Sequence, residues 1–272
     1  MPLISLLCHD VYRHDPSESG FAGAIADRYK LSVPAFDAML ETLAGGLDGI
    51  AVATAPMRDT QDDAVALTAD DGGVAYHAVI ADRLEARGWR GHCFMSTGMI
   101  GWPGFLTAEH LRDLDRRGHV IGTHSVSHPT RFSACSRAEM AAEWVDSRKA
   151  LEDLLGHAVT IGSLPGGYLS RAVARSANEA GLEWLFTSEP ETRLRQVGGC
   201  TLGGRFTIRP DHPVEFARDI VADRASARRR EWVQWHLKKI VKPVLGPAYP
   251  AIGAWLRGRQ DASIALRQGG SE

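Results

Sequence analysis

The sequence has few cysteines and no long apolar run, and these absences exclude several classes of protein. Its four cysteines are scattered over 272 residues without Cys-x-x-Cys spacing, which argues against a disulfide framework and against a zinc knuckle. No stretch approaches the roughly 20 apolar residues of a transmembrane helix. A net charge of −2 gives no general attraction to polyanions, so we expect no nucleic-acid partner.

The first 15 residues, MPLISLLCHDVYRHD, also lack the features of a secretory signal peptide. They have no basic start region, and their apolar run is too short and ends in polar residues. We therefore expect a cytoplasmic protein. The composition, 44% hydrophobic and 24% charged, is that of an ordinary globular protein with enough apolar material for a core.

Short β-rich segments alternate with amphipathic helical segments along most of the chain. Several helical segments begin after Ser or Thr and end at Gly, the residue types that commonly bound helices. Alternation of this kind predicts parallel strands joined in βαβ units. The predicted strands are residues 4–8, 64–69, 92–96, 119–123, 159–163, 183–187 and 204–208.

Residues suited to catalysis, metal binding or substrate contact follow the ends of four predicted strands. In α/β barrels the active site is built at one face, from loops that follow several different strands. An open α/β sheet instead concentrates its ligand contacts near one switch point. The distribution therefore favours a barrel over an open sheet. The residues in question are His9, Asp70, Asp71, His124 and Pro165.

Residues 224–260 depart from this alternation, with nine Arg or Lys against one acidic residue, Glu231. We predict a single barrel domain over 1–223 and a basic, aromatic, helical extension over 224–272. Such an extension either makes a peripheral contact with a membrane surface or packs on the barrel with a solvated basic face. Both interpretations stay open. The aromatic residues are Trp232, Trp235, Tyr249 and Trp255.

The segments ALTADDGG (66–73) and THSVSHP (123–129) contain the residues suited to metal chemistry. Adjacent carboxylates in a confined site raise one another's pKa unless a cation is present. Asp71, His124 and His128 form a mixed carboxylate and imidazole set that suits Zn²⁺, and that Co²⁺ or Ni²⁺ could also occupy. Asp70 would then be the general base. Taken singly, each residue is equally compatible with an ordinary turn or loop.

These two segments resemble the T-F-D-D-G and H-S/T-x-x-H-P motifs of the polysaccharide deacetylases with a NodB homology domain (carbohydrate esterase family 4). The resemblance covers roughly residues 1–210. It implies a distorted (β/α)7 barrel, in agreement with the seven predicted strands. It also implies hydrolysis of an acetyl group, most often an N-acetyl, from a carbohydrate. By this resemblance Asp70 is the base, and the metal ligands are Asp71, His124 and His128.

The third motif of that family, R-x-P-Y/W-G, is changed in this chain to GSLPGGY. Ser163 stands where the family has the arginine that usually tethers the base, and Arg171 is a candidate replacement. We expect the backbone after Ser163 to approach the substrate and donate an N–H to an oxyanion. Trp102 and Phe105 are further candidates for stacking on sugar rings, with ordinary packing as the alternative. The predicted substrate-binding residues are Pro165, Gly166, Gly167 and Tyr168.

The family's C-terminal L-x-H motif, whose histidine is the general acid, is missing from RFTIRPDHP (205–213), where Arg209 takes its place. The N-terminal segment SLLCHDV resembles that motif. Because the first and last strands of a closed barrel are neighbours, we predict that His9 is the acid. The alternatives are His212, and a His9 that lines the pocket without titrating.

The sequence thus predicts a zinc-dependent carbohydrate deacetylase that acts in exopolysaccharide or glycoconjugate biosynthesis. Its substrate could be a precursor made at the inner membrane face. Two other functions stay open: a non-catalytic glycan-binding protein on the same fold, suggested by Ser163, and a hydrolase of the C–N bond in a small amide. Neither the sugar nor the oligomeric state follows from the sequence.

Overall fold

The computed structural model describes residues 3–47, 50–53 and 64–245. Strands and helices alternate along these residues. The strands are β1 Ile4–Leu7, β2 Asp10–Tyr12, β3 Lys30–Ser32, β4 Ala51–Val52, β5 Ala64–Ala69, β6 His92–Met95, β7 Val120–Thr123, β8 Ile161–Ser163, β9 Trp184–Phe186, β10 Arg195–Val197, β11 Cys200–Gly203 and β12 Phe206–Thr207. The helices are α1 Val33–Ala44, α2 Ala81–Glu85, α3 Ala108–Arg116, α4 Arg137–Leu155, α5 Arg171–Glu179, α6 Phe216–Val221 and α7 Ala227–Leu245.

Ten of the described strands form one curled sheet in the order β10-β11-β9-β8-β7-β6-β5-β1-β12, with β4 also paired to β5. Its pairs are parallel except β10–β11. Strand β12 lies at one end of this order and β11 lies next to the other end. Because only Gly204 and Arg205 separate β11 from β12 in the sequence, the two edges of the sheet come close together. This arrangement is a distorted (β/α)7 barrel whose seventh position is a broken strand, which confirms the predicted fold class.

The seventh predicted strand, residues 204–208, is wrong in its extent. The chain pairs with β9 as far as Gly203 and with β1 from Phe206, so residues 204 and 205 lie at a bend rather than in a strand. A Cβ at Gly204 would lie 2.3 Å from the carbonyl oxygen of Glu189, so only glycine allows this approach. The bend directs Arg205 to the inside of the barrel, where it is fully buried.

The inner face of β5 shows why the chemistry lies inside the barrel. Successive side chains of a strand point to opposite faces, so every second residue shares a face. Ala64 and Ala66 pack in the inner core, and the Thr68 hydroxyl accepts a hydrogen bond from buried Arg205. Asp70, two residues after Thr68, continues the same face. The inner face of β5 therefore carries small apolar residues at its start and polar residues at its C-terminal end.

Helices α1 to α6 pack on the outer face of the barrel, and strands β1, β5, β6, β8, β9 and β11 are buried throughout, as is usual in parallel sheets. The Ser136 hydroxyl accepts a hydrogen bond from the Glu139 N–H at the start of α4, and Gly156 ends this helix at φ 81°. The outward residues of β5 share one core cluster with α1 and α2. Members of that cluster include Phe36, Leu40, Val65, Leu67, Ala81 and Leu84.

The chain divides into two compact units, Met1–Arg228 and Arg229–Glu272. Within the second unit, α7 exposes Trp232, Val233 and Leu237. Residues 246–272, including the Tyr249 and Trp255 of the predicted extension, lie outside the described residues. The boundary at 224 and the membrane contact of 224–260 stay predictions. Among the residues described, no helix has the length and apolar character needed to cross a bilayer.

The turn after β5 constrains its two glycines tightly. Asp71 and Gly72 both have left-handed backbones, with φ of 74° and 84°. A Cβ at Gly72 would lie 2.0 Å from the sulfur of Met95, which is fully buried. At Gly73 a Cβ would lie 2.0 Å from Oδ2 of Asp10. The D-D-G-G segment therefore needs glycine for close approach as well as for its φ.

We predict that Gly72→Ala destabilises the fold more than Gly88→Ala. Gly88 is a matched control because its φ is 72° and a Cβ there would have no neighbour within 4 Å. Both substitutions carry the left-handed penalty of roughly 1–2 kcal/mol, but only Gly72→Ala must also displace a core side chain. Urea unfolding of both variants measures the difference, and equal losses of free energy of unfolding would contradict it.

Candidate metal centre and active site

The three predicted metal ligands meet at the C-terminal end of the barrel strands. Asp71 Oδ1 lies 3.4 Å from His124 Nε2 and 3.3 Å from His128 Nε2, and the three ligand atoms all lie within 4.8 Å of one another. Two atoms that bind one zinc ion at about 2.1 Å, at the tetrahedral angle, are about 3.4 Å apart. The spacing therefore fits a single ion of this kind.

The backbone of the neighbouring strand orients His124. Its Nδ1 lies 2.9 Å from the carbonyl oxygen of Ser163. Because a carbonyl oxygen only accepts, Nδ1 carries the proton and Nε2 presents its lone pair beside Asp71. A ligating histidine is usually held in this way through its second nitrogen. The backbone N–H of His124 also donates to the Met95 carbonyl at 2.9 Å, which anchors the backbone of His124 to β6.

The charges around His124 also favour a cation. Burial by itself lowers the pKa of His124, but the carboxylates of Asp70 and Asp71 outweigh this effect and raise it. Burial likewise lowers the pKa of His128, with the charge of His124 acting in the same direction. The two carboxylates thus make His124 bind a proton more readily than free histidine does, whereas His128 binds one less readily. A metal ion would satisfy the same excess of negative charge.

Asp70 is buried and is held from two sides. Arg205 donates to it through two nitrogens, Nη1 to Oδ1 at 2.7 Å and Nη2 to Oδ2 at 2.8 Å. The Ser163 hydroxyl donates to Oδ2 at 3.0 Å. Burial alone would raise the pKa of Asp70, but the guanidinium of Arg205 outweighs it and holds that pKa well below its usual range. Asp70 is therefore an ionised, fixed carboxylate.

Arg205 is the functional residue that sequence reasoning missed. The Arg171 candidate is wrong, since that residue begins α5 on the exposed surface. Arg205 reaches Asp70 from the bend between β11 and β12. Its position after two glycines in an otherwise apolar strand segment was the available signal. Its five N–H donors all have acceptors, namely Thr187 O, Thr68 Oγ1, Ser163 Oγ and the two oxygens of Asp70.

Ser163 joins the two halves of the site. Its hydroxyl accepts from Arg205 Nη2 at 2.7 Å and donates to Asp70, while its carbonyl oxygen accepts from His124. A serine at this position leaves room for the guanidinium of Arg205. The arginine missing from the third motif is thus replaced by a serine and by an arginine from another strand.

His9, the predicted acid, follows β1 and is half-buried. Its ring centroid lies 4.6 Å from that of Tyr29, and its buried Nδ1 has no hydrogen-bond partner among the described residues. Burial lowers the pKa of His9, while the charges of Asp71 and Asp70 act in the opposite direction. His9 is therefore within electrostatic range of both carboxylates.

The alternative acid, His212, makes different contacts. Its Nε2 lies 2.5 Å from Arg209 Nη2, and its ring centroid lies 3.8 Å from that of Phe216. His9, by contrast, interacts electrostatically with Asp71, Asp70 and His124. This position favours His9 over His212 for a function at the centre.

The predicted substrate segment follows β8 beside the metal-ligand loop. Gly166 and Gly167 have left-handed backbones, and a Cβ at Gly166 would lie 2.7 Å from the Thr130 carbonyl, two residues after His128. Pro165 is buried, whereas Tyr168 is 48% exposed, with the guanidinium of Arg131 5.4 Å from its ring centroid. The segment thus presents backbone and one aromatic ring near the centre.

The other two aromatic candidates differ from each other. Trp102 is 62% exposed and free to stack on a ligand. Phe105 is buried and packs edge-on against Phe21 at 5.0 Å, so it is a packing residue. Phe21 also lies 5.0 Å from the ring of His128. The long N-terminal loop therefore borders the metal centre.

Residues 57–185 match the family model described as polysaccharide deacetylase. That range, a little less than half of the chain, is similar to the polysaccharide deacetylase family. The matched range contains Asp70, Asp71, His124 and His128, but it ends before Arg205 and begins after His9. The roles assigned to His9 and Arg205 therefore come from the sequence and structure of this chain and not from the family match.

This chain is similar to the curated protein YxkH of Bacillus subtilis (strain 168), whose name places it among polysaccharide deacetylases. The two are 25% identical over 134 residues, which is 49% of this chain and 48% of YxkH. The aligned region thus spans about half the length of that relative.

Several solved structures share the fold of this chain. IcaB from Ammonifex degensii superposes with a TM-score of 0.63 at 18% identity, covering 81% of this chain and 97% of IcaB. The Streptococcus pyogenes deacetylase PplD, in complex with acetate, gives 0.62 at 18% identity, covering 79% and 96%. BC0361, a polysaccharide deacetylase from Bacillus cereus, gives 0.65 at 15% identity, covering 81% and 69%. At these identities the likeness establishes the fold.

We predict that Arg205→Met destabilises the protein by about 3–5 kcal/mol, the usual cost of leaving a buried charge without its partner. Without the guanidinium, burial raises the pKa of Asp70, so the deficit should be largest near pH 7.5 and shrink as the pH falls through that raised pKa. Adding Asp70→Asn should restore part of the stability.

Urea unfolding at pH 5 and pH 7.5 tests this prediction. The matched control is Arg137→Met, which breaks an exposed pair with Glu179 and should change stability little at either pH. A deficit in Arg205→Met that does not depend on pH, or that Asp70→Asn fails to relieve, would show that Asp70 is not the group left unpaired.

Proposed function

We propose that this protein is a metal-dependent hydrolase that removes acetyl groups, above all N-acetyl groups, from a carbohydrate. The observation that carries the proposal is the convergence of Asp71, His124 and His128 on one ion-sized space, with ionised Asp70 beside them. The match of residues 57–185 to the polysaccharide deacetylase family model supports carbohydrate as the substrate class. We further propose that the protein works in exopolysaccharide or glycoconjugate biosynthesis.

The ion would be held by Asp71, His124 and His128, and Zn²⁺ is our first choice, with Co²⁺ and Ni²⁺ as ions that the same donors accept. When bound, it supplies Lewis-acid polarisation of the acetyl carbonyl and acidifies the attacking water. Three protein ligands leave the coordination open, which is the arrangement of catalytic rather than structural zinc sites.

Asp70 would take the proton of the attacking water. A carboxylate of low pKa is a weak base toward free water, so Asp70 depends on water that the site has already acidified. The charge-assisted bonds from Arg205 hold the Asp70 carboxylate in place and would keep it from becoming a further ligand of a bound ion. The Ser163 hydroxyl reinforces the same orientation. Arg205 and Ser163 are thus positioning residues for the base.

His9 would give a proton to the departing nitrogen or oxygen. It approaches from β1, on the side of the barrel next to Asp70 on β5. The backbone of Gly166, Gly167 and Tyr168 would donate to the developing oxyanion, and the exposed ring of Tyr168 would contact the sugar. These assignments extend the proposal to the substrate side of the site.

The glycan-binding alternative was suggested by the missing arginine at Ser163. Because Arg205 supplies a guanidinium to Asp70 from another strand, this reason no longer applies. A protein that only binds a glycan also needs no ionised carboxylate fixed beside three metal ligands. The small-amide alternative differs only in substrate, so substrate choice is the comparison that distinguishes it.

We predict that the protein releases acetate from N-acetylated chito-oligosaccharides, that chelation abolishes this activity, and that Asp70→Asn lowers kcat by about 100-fold or more, the scale of losing a general base. An O-acetylated sugar and a small acetamide measured in parallel identify the preferred bond and substrate. Asp115→Asn, which affects a surface pair with His157, is the matched control and should leave kcat unchanged.

Acetate release that persists after chelation, or that survives Asp70→Asn, would contradict this proposal. Release from the small acetamide but from neither sugar would favour the small-amide hydrolase. Tight binding of one ion without release from any of the three would favour the glycan-binding protein.

We also propose a cytoplasmic location at the inner membrane face, with the basic segment 224–260 in contact with anionic lipid. We predict that the full chain sediments with anionic vesicles at low salt, and that removing residues 229–272 abolishes this while residues 1–228 keep their circular dichroism spectrum. Neutral vesicles are the control. Unchanged sedimentation of the shortened chain would remove the support for this contact.

A further inference from the structure

The loop between the two histidine ligands has an unusual backbone. Ser125 and His128 lie in the left-handed region, with φ of 67° and 53°. Neither is glycine, so this conformation is costly and persists only where the surroundings determine it. Because the ring of His128 follows its backbone, the same conformation decides whether Nε2 reaches the space beside Asp71.

The backbone N–H groups of residues 125–128 all have acceptors, and half of them bond to one side chain. Glu143 Oε2, from α4, accepts from the N–H of Val126 at 2.8 Å and of Ser127 at 2.9 Å. Glu143 Oε1 accepts from the Ser127 hydroxyl at 2.5 Å. Hydrogen bonds to a carboxylate are roughly twice as strong as those between neutral groups.

The remaining backbone hydrogen bonds of the loop are with neutral groups. The Ser125 N–H donates to Thr123 Oγ1 at 3.2 Å, and the His128 N–H donates to Ser125 Oγ at 3.2 Å. The N–H groups of residues 97 and 98 donate to the carbonyls of residues 125 and 126 at 3.0 and 2.9 Å. Among the described residues, Glu143 is the one ionisable side chain that accepts from the backbone of this loop.

Helix α4 holds the backbone of Glu143 in place. Trp144, the next residue, is fully buried. Ser147, one turn along on the same side, lies 2.6 Å from Thr123 Oγ1 through its hydroxyl. Through Glu143 and Ser147, the helix therefore contacts both the strand end before His124 and the loop before His128.

We infer that Glu143 is a positioning residue that fixes the 125–128 loop, directs His128 toward Asp71 and His124, and so sets the affinity of the site for a divalent ion. This inference rests on the metal centre of the proposed function. The hydrogen bonds of Glu143 go to Val126 and Ser127 and not to the three ligand atoms, so it acts through the loop. Partners that orient metal ligands commonly change metal affinity by about 10- to 100-fold when they are replaced.

The test is the affinity of Glu143→Gln for Zn²⁺, measured by competition with a chromophoric chelator. The variant keeps the shape of the side chain but loses the charge, and its amide places a donor beside a loop that needs acceptors. We expect a Kd about 10- to 100-fold weaker than that of the wild type. The Co²⁺-loaded variant should also show altered visible absorption, because its ligand geometry changes. At saturating Zn²⁺, kcat should recover.

The matched control is Glu139→Gln. Glu139 is one turn earlier on α4, where its carboxylate accepts from the Ser136 N–H rather than from the loop. We expect its Kd for Zn²⁺ to equal that of the wild type. Ser127→Ala removes only the hydroxyl bond to Glu143 and should weaken Zn²⁺ binding less than Glu143→Gln does. It serves as the decisive variant if Glu143→Gln does not fold.

A folded Glu143→Gln with wild-type Kd and wild-type Co²⁺ spectrum would overturn the inference, as would an equal loss in Glu139→Gln. If Ser127→Ala has to decide, a wild-type Kd for that variant overturns it. These failures differ from failure of the proposed function, in which the wild-type protein itself would bind no divalent ion. A loss of thermal stability in Glu143→Gln without any change in Kd also counts against it.

Discussion

The buried pair of Asp70 and Arg205 is the interaction on which the rest of the site depends. Arg205 has no access to solvent, so each of its five donors must find an acceptor within the barrel. Those acceptors come from β5, β8 and the segment after β9. One side chain therefore joins strands on opposite sides of the barrel at the point where β11 and β12 are interrupted.

This pair also separates the functions of two adjacent carboxylates. Asp70 lies on the inner face of β5, where Arg205 neutralises it. The left-handed backbone of Asp71 turns its carboxylate toward the two imidazoles instead. One carboxylate is thus compensated by a fixed cation of the protein, and the other has its charge available for an ion. Two neighbouring residues can in this way act as base and ligand without competing for one partner.

The candidate metal centre depends on backbone conformations that its own residues would not adopt alone. Asp71, Ser125 and His128 all have positive φ. Such conformations persist at functional sites when the surrounding contacts over-determine them. Ser163 on β8 and Glu143 on α4 provide some of these contacts, through hydrogen bonds to His124 and to the loop that follows it. The proposed chemistry needs little rearrangement on this side of the site, because the ligand atoms already lie close together.

The sequence by itself determined the strand–helix alternation, the barrel, and the residues that the structure brings together as a metal centre. Those inferences depend on local periodicity and on short motifs, which need no knowledge of distant contacts. Only the tertiary structure decided which arginine holds Asp70, that Phe105 is a packing residue, and that residues 204 and 205 form a bend. Arg205 is 135 residues from Asp70 along the chain. No local pattern encodes a contact at that separation, because it exists only once the barrel has closed.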